Sequence, residues 1–108
     1  MAAITCPYLN GKVELTGERE RHIAEHHPDL LPEHRGKIDD TLAAPDQVRR
    51  SLRNRNARLF ARWFSDLKGG KHMVVVVVSD PDGDGRNWII TAYLTGALTG
   101  GEIEWKRS

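Results

Sequence analysis

The sequence contains, from residue 58 to residue 64, the run Arg58-Leu59-Phe60-Ala61-Arg62-Trp63-Phe64. Because successive side chains of a β-strand point to opposite sides, this run predicts a strand with two different faces. The apolar face would carry Leu59, Ala61 and Trp63 and build the core. The open face would carry Arg58, Phe60, Arg62 and Phe64. Arginines can hold phosphates and phenylalanine rings can stack on bases, so the open face predicts a surface for single-stranded nucleic acid. A half-buried strand with solvated arginines is the alternative.

The run lies within a cationic band, residues 47–71, which has eight basic residues and one acid, Asp66. The rest of the chain is net acidic, so the formal net charge of the protein is only +1. A concentrated positive field attracts polyanions whatever the net charge of the chain. Nucleic acid is therefore the first expected partner, and an acidic protein docked on the cationic band is an alternative.

The segments around the run predict an α+β fold. Asn10-Gly11 marks either a small hairpin or an irregular lead-in. Thr16 suits the N-cap of a helix that ends before Pro28, and a second helix is expected over residues 33–43. Strands are expected at residues 47–52, 57–65, 72–79, 87–95 and, as a short fifth, 102–106. The prediction is one domain, residues 1–108, with two N-terminal helices packed on one face of a four- to five-stranded antiparallel sheet.

The strand at residues 87–95 alternates as the first run does. Its apolar side holds Trp88, Ile90, Ala92 and Leu94, and its more polar side includes Thr91 and Tyr93. If the apolar sides of both strands face the helices, Thr91 and Tyr93 lie on the open face. The sequence therefore predicts an RNA-binding surface formed by Arg58, Phe60, Phe64 and Tyr93, with Arg62 and Thr91 among them.

The first helix carries two histidines, His22 and His26, which lie four residues apart and therefore on one helical face. The pattern His-x-x-Glu-His matches the inverted zinc-protease motif, but the chain is too short for such a protease and no third ligand is evident. The two imidazoles could instead exchange protons near neutral pH, or they could be structural and cover a sheet edge.

No metal or cofactor is expected. The segment Asp80-Pro81-Asp82-Gly83-Asp84-Gly85 imitates the start of a calcium loop, but the twelfth position is Thr91 and no helices flank it, so a solvated turn is expected. Cys6 is the single cysteine, which excludes an intrachain disulfide and suits a reducing interior. Since no segment has the length of a membrane span or the pattern of a signal peptide, the expected location is the cytoplasm.

Several motifs, taken in order, resemble a known family. They are Thr16-Gly17-Glu18-Arg19, Arg21-His22-Ile23, His26-His27-Pro28, residues 42–48, Leu59-Phe60-Ala61-Arg62, the valines 74–78, and Ile89-Ile90-Thr91-Ala92-Tyr93. In this order and spacing the chain is similar to phage-associated nuclease domains of the barnase/EndoU/colicin/RelE-like superfamily. The likeness extends from about residue 16 to residue 105.

The resemblance implies a two-helix, four-stranded α+β fold and metal-independent cleavage of RNA. It also implies a catalytic set of His22 on the helix, Arg62 on a strand and the hydroxyl residue Thr91, with His26 at a second position of the helix motif. The first hypothesis is therefore an endoribonuclease of the toxin or phage type, with a protein inhibitor or antitoxin as a further partner. The alternatives are a non-catalytic nucleic-acid-binding module and a protein-interaction domain.

Overall fold

Nine helices and strands and one short 3₁₀ helix follow one another in the computed structural model, which describes residues 2–82 and 85–108. They are β1 (Ala2–Cys6), the 3₁₀ helix (Pro7–Leu9), β2 (Gly11–Leu15), α1 (Gly17–His26), α2 (Arg35–Ala43), β3 (Gln47–Arg50), β4 (Ala57–Phe64), β5 (Lys71–Ser79), β6 (Asn87–Thr95) and β7 (Glu102–Lys106). Gly83 and Asp84, within the predicted turn at residues 80–86, lie outside the described residues.

The seven strands form one mixed sheet in the order β1-β2-β6-β5-β4-β3-β7. Its neighbours are antiparallel except β2 and β6, which run parallel and pair at Glu14 and Trp88. The fold is α+β, but the prediction of a four- to five-stranded antiparallel sheet is wrong. The difference arises because the Asn10-Gly11 turn does form a hairpin, and this hairpin adds β1 and β2 to the edge of β6.

Local signals at the helix ends explain where α1 begins and ends. The Thr16 side chain caps the helix by accepting a hydrogen bond from the backbone N–H of Arg19 at 3.1 Å. The helix ends at His26, before Pro28. In α2, Ile38 and Leu42 are fully buried, as their four-residue spacing predicts, although the helix begins at Arg35 and not at residue 33.

The sheet has an inner face, which packs against the helices, and an outer face on the opposite side. Phe60 pairs with Val48 and Val75, all three are fully buried, and all three belong to the core beneath α2. Phe60 and its face of β4 are therefore inner, and the predicted assignment of faces is wrong for this strand. Arginines can occupy this inner face because the long side chain carries its charged end to the edge of the core.

The outer face of β4 carries the residues expected in the helix-covered core. Leu59, Ala61 and Trp63 pair with Val76, Val74 and His72 of β5 in three successive rows. Trp63 is 45% exposed, whereas Ala61 is 1% exposed. Ala61 is covered because the connection between β6 and β7 crosses this face, bringing Ala97, Leu98 and Thr99 to a small cavity of about 20 Å³ beside it.

A β-bulge in β6 changes which residues share a face. Val76 pairs with Thr91 while its neighbour Val77 pairs with Ile89, so Ile90 is the extra residue. As a result Ile89 and Ala92 are both buried in the inner core. The predicted alternation is therefore wrong before Thr91, since Ile89 is inner and Trp88 is outer, whereas residues 91–94 lie on the predicted faces.

Tyr8, in the 3₁₀ helix, connects the beginning of the chain to the last strand. Its ring lies edge-on to Phe60 with the centroids 5.8 Å apart and also contacts Trp105 of β7 at 5.9 Å. Its hydroxyl donates to a carboxylate oxygen of Glu104 at 2.5 Å. The two ends of the curved sheet are thus joined across the inner core. Within the two described ranges, neither helix has the length and apolarity that would let it cross a membrane.

Candidate functional site

The two histidines of α1 lie side by side at the protein surface. The rings of His22 and His26 have their centroids 4.2 Å apart and are tilted by 32°. Nδ1 of His26 lies 3.0 Å from the carbonyl oxygen of His22, which fits an Nδ1–H donor and leaves Nε2 as the acceptor. Both residues are exposed. Two neighbouring imidazoles, open to solvent, are able to give and take a proton on the same substrate.

Arg19 shares this flank of α1, because it precedes His22 by three residues and His26 by seven. Its guanidinium donates from Nη1 to the carbonyl oxygen of Ile90 at 3.4 Å. The bulge in β6 thereby contacts the helix that carries the histidines. Beside them is a shallow depression of about 260 Å³ lined by Glu18, Arg19, Arg21, His22 and Glu25.

A second contact joins the end of α1 to β6. His27, the C-cap residue of α1, lies with its ring centroid 6.3 Å from that of Tyr93. Tyr93 pairs with Val74 and Thr91 pairs with Val76, so both lie on the outer face. Burial raises the pKa of Tyr93, and the positive charge of Arg49 lowers it in part. The histidine pair and the Thr91–Tyr93 strand are thus neighbours, as the hypothesis of one site requires.

Arg62 is on the opposite face of the sheet from Thr91. Its strand partner is Met73, which is fully buried in the inner core. Nη1 of Arg62 donates to the carbonyl oxygens of Asp40 and Ala44 at 3.4 and 3.2 Å, and the guanidinium lies 5.4 Å from the Phe64 ring centroid. The guanidinium therefore binds the C-terminal end of α2. These contacts do not bring Arg62 together with His22 and Thr91, so they do not form the catalytic set that the resemblance implies.

Three more residues of the predicted RNA-binding surface, Arg58, Phe60 and Phe64, also lie on the inner face. Phe60 has no exposed surface, so its ring cannot stack on a base. Phe64 is half-buried against the core, with the ammonium of Lys37 5.4 Å from its centroid. Arg58 forms an ion pair with Glu104 at 2.9 Å. Of this predicted surface only Thr91 and Tyr93 lie on the outer face.

Glu104 neutralises two arginines of the cationic band. One carboxylate oxygen accepts from Arg50 at 2.7 Å and the other accepts from Arg58 at 2.9 Å. Burial alone would raise the pKa of Glu104, but the hydrogen bonds from Tyr8 and Arg58 and the arginine charges outweigh burial and lower it. Burial and the bond to Glu104 raise the pKa of Tyr8 to about 12. Arg50 and Arg58, two of the arginines in the cationic band predicted to attract RNA, are therefore neutralised within the protein.

The outer face carries two rings that the sequence did not single out for binding. The sequence pattern predicts Trp63 in the core and does not predict His72 as a site residue, yet their rings meet edge-on with the centroids 4.8 Å apart. His27 and Arg19 were likewise not predicted as site residues. The i, i+3, i+7 spacing indicates that Arg19 lies on the same helical face as His22 and His26. The positions of Trp63 and His72 depend instead on which face of the sheet the helices cover.

No set of three or more His, Cys, Asp or Glu side chains within residues 2–82 and 85–108 is arranged to hold a metal ion. His22 and His26 are thus without a third such ligand among these residues. Comparisons with protein-family models, with curated proteins and with solved structures give no match to the chain.

Proposed function

We propose that this protein is a metal-independent endoribonuclease in which His22 and His26 form the acid–base pair. The observation that carries the proposal is the pair of exposed imidazoles, 4.2 Å apart, on the flank of α1 that faces the edge of β6. Cleavage of RNA without a metal needs one group to take a proton and another to give one, and histidine is suited to both. The resemblance to phage-associated nucleases supports the same reaction.

In the proposed reaction, one neutral imidazole takes the proton of a ribose 2′-hydroxyl, and the 2′-oxygen forms a bond to the adjacent phosphorus. The bond from phosphorus to the 5′-oxygen breaks. The other imidazole, which enters the reaction protonated, gives its proton to that oxygen. The products are a 2′,3′-cyclic phosphate and a 5′-hydroxyl. Donors aimed at the phosphate oxygens would stabilise the charge that develops there.

Arg19 is the cation that we assign to this phosphate, because it lies on the same flank as the histidine pair. Its hydrogen bond to the Ile90 carbonyl, at 3.4 Å, is long and is the only one of this guanidinium within residues 2–82 and 85–108, so its other N–H groups are available for a ligand. Thr91 follows Ile90, whose carbonyl oxygen Arg19 contacts, and it is the hydroxyl that we assign to the site. In this arrangement Arg62 stabilises α2 and does not contact the substrate.

The proposal predicts that the folded protein cleaves RNA in excess EDTA and leaves 2′,3′-cyclic phosphate ends. His22→Ala and His26→Ala should each lower the cleavage rate by about 100-fold or more, since loss of a general acid or base costs 10²–10⁴-fold. The matched control is His34→Ala, because His34 lies at the start of α2 beside Glu33 and outside the pair. The readout is the release of labelled fragments, with end-group analysis of the products.

Intact RNA after long incubation with concentrated, folded protein would refute the nuclease. Equal losses in all three histidine variants would refute the assigned pair. A non-catalytic RNA-binding module is the second candidate, supported by the exposed Trp63 and half-buried Tyr93 of the outer face. That candidate predicts salt-dependent RNA binding that His22→Ala leaves unchanged.

The proposed RNA substrate also suggests where in the cell the protein acts. We place its action in the cytoplasm, which suits a chain with one free cysteine, Cys6. An enzyme of this kind would degrade the RNA of the cell that makes it, so a protein inhibitor is a further proposed partner.

A further inference from the structure

Four rings lie in sequence across the outer face, from the end of α1 to the end of β4. His27 and Tyr93 form one pair, with centroids 6.3 Å apart, and His72 and Trp63 form the other, at 4.8 Å. The pairs adjoin because His72 pairs with Thr95, two residues from Tyr93 on the same face. Such diagonal neighbours lie about 7–8 Å apart. We call His27, Tyr93, His72 and Trp63 the aromatic row.

The Trp63 ring is fixed in place although it is 45% exposed. Gly70, with a φ of +108°, passes so close to the indole that a Cβ there would lie 2.4 Å from it. The backbone N–H of Trp63 donates to the carboxylate of Asp46 at 2.7 Å. The ring therefore offers an open surface whose position is set before any ligand binds, and little conformational entropy is lost when it is used.

Positive charge accompanies the aromatic row. Arg49 acts electrostatically on Tyr93, with its guanidinium held by Gln47 and by the carbonyl oxygen of Gly100 in the β6–β7 connection. Lys71 precedes His72 in β5, and its ammonium lies beside Gly96, where a Cβ would be 3.6 Å away. Aromatic rings with cations beside them bind single-stranded nucleic acid, since bases stack on the rings while the cations neutralise phosphates.

We propose that the aromatic row binds unpaired bases of single-stranded RNA next to the histidine pair, with one base stacked on Trp63. This inference rests on the proposed function and deepens it by assigning the substrate class. The row begins at α1, which carries His22 and His26, and crosses from β6 to β4, a distance of about 10 Å at the usual strand spacing. A duplex is excluded from this mode because its bases are stacked and paired inside the helix.

The test compares two exposed tryptophans that lie on different parts of the surface. Trp105, on the edge strand β7, is 38% exposed and contacts Tyr8, away from the aromatic row. Binding is measured by fluorescence anisotropy with a labelled single strand of 2′-O-methyl RNA, which lacks the attacking hydroxyl and cannot be cleaved. Trp63→Ala should weaken binding by about 10-fold, the usual effect of removing one stacking ring. Trp63→Phe should retain most of the affinity, and Trp105→Ala should leave it unchanged.

Equal affinities of Trp63→Ala and Trp105→Ala would overturn the inference, and so would equal binding of the single strand and of its duplex. Circular dichroism of each variant shows whether it is folded, and Trp63→Phe provides a second comparison if Trp63→Ala is not. Cleavage of RNA by the wild-type protein, combined with no effect of Trp63→Ala, would refute the aromatic row alone. Binding that depends on Trp63, combined with no cleavage, would refute the nuclease alone.

Discussion

Glu104 joins Arg50, Arg58 and Tyr8 through one carboxylate, and its side chain is only 23% exposed. Exchange of this carboxylate for an amide in Glu104→Gln should lower the free energy of unfolding by about 1–2 kcal/mol, because hydrogen bonds to charged groups are worth about 1.5–3 kcal/mol each and the amide retains part of them. Glu102→Gln is the matched control, since it removes the same charge from the same strand and, among the described residues, the Glu102 carboxylate forms no ion pair. Urea unfolding measures both, and equal effects would contradict the role of Glu104.

The same residue predicts how stability depends on pH. The pKa of Glu104 is lowered in the folded protein from the ordinary value of 4.5. The stabilisation that this difference represents is present above pH 4.5 and is lost as the pH falls through the lower, folded-state pKa. The wild-type protein should therefore lose its advantage over Glu104→Gln on acidification below about pH 4.5. Thermal unfolding of both proteins between neutral and acid pH measures this, and an advantage that persists in acid would contradict it.

A side chain from the sheet stabilises α2. Arg62 donates to the carbonyl oxygens of Asp40 and Ala44, which lie in the last turn of the helix and just beyond it. Arg62→Ala should destabilise the protein by about 1–2 kcal/mol, because a cation is lost from a helix C-terminus together with its hydrogen bonds. Cleavage per folded molecule should be retained.

Denaturation by urea and cleavage at a temperature where both proteins are folded separate the two roles of Arg62. If cleavage were abolished while stability was unchanged, Arg62 would be catalytic, as the resemblance implies, and the site would extend to the inner face. The comparison thus decides between what the sequence motif suggests and what the contacts of the guanidinium suggest.

The connection from β6 to β7 must pass over β5, β4 and β3. Gly101 allows this passage, because a Cβ at this residue would lie 2.7 Å from the carbonyl oxygen of Arg50. The adjacent Gly100 also has a positive φ, but no atom lies within 4 Å of its Cβ position. Both Gly→Ala variants should lose about 1–2 kcal/mol through backbone strain.

Gly101→Ala should lose about 2 kcal/mol more than Gly100→Ala, since a clash with backbone atoms is added to the strain. Urea unfolding of the two variants measures the difference. Equal stabilities would mean that the connection does not pass as close to β3 as the structure has it.

The boundaries of most elements follow from the sequence alone. Thr16, Pro28 and Pro45 bracket the helices through capping and through the restriction that proline places on its neighbours, both of which act within a few residues. The strands at residues 47–50, 57–64, 71–79, 87–95 and 102–106 were predicted within two residues at each end. The helical spacing of His22 and His26 likewise placed their rings together before any tertiary contact was known.

The faces of the sheet were decided only by tertiary structure. Alternation in β4 separates two sets of residues, but both sets contain large apolar side chains, so local pattern does not say which set the helices cover. Phe60 became inner because it packs with Tyr8 from the first hairpin, while Arg58 reaches Glu104 and Arg62 reaches α2. The bulge at Ile90 then put Ile89 in the inner core and Trp88 on the outer face. Each of these choices depends on partners 12 or more residues away, whose contacts no local periodicity encodes.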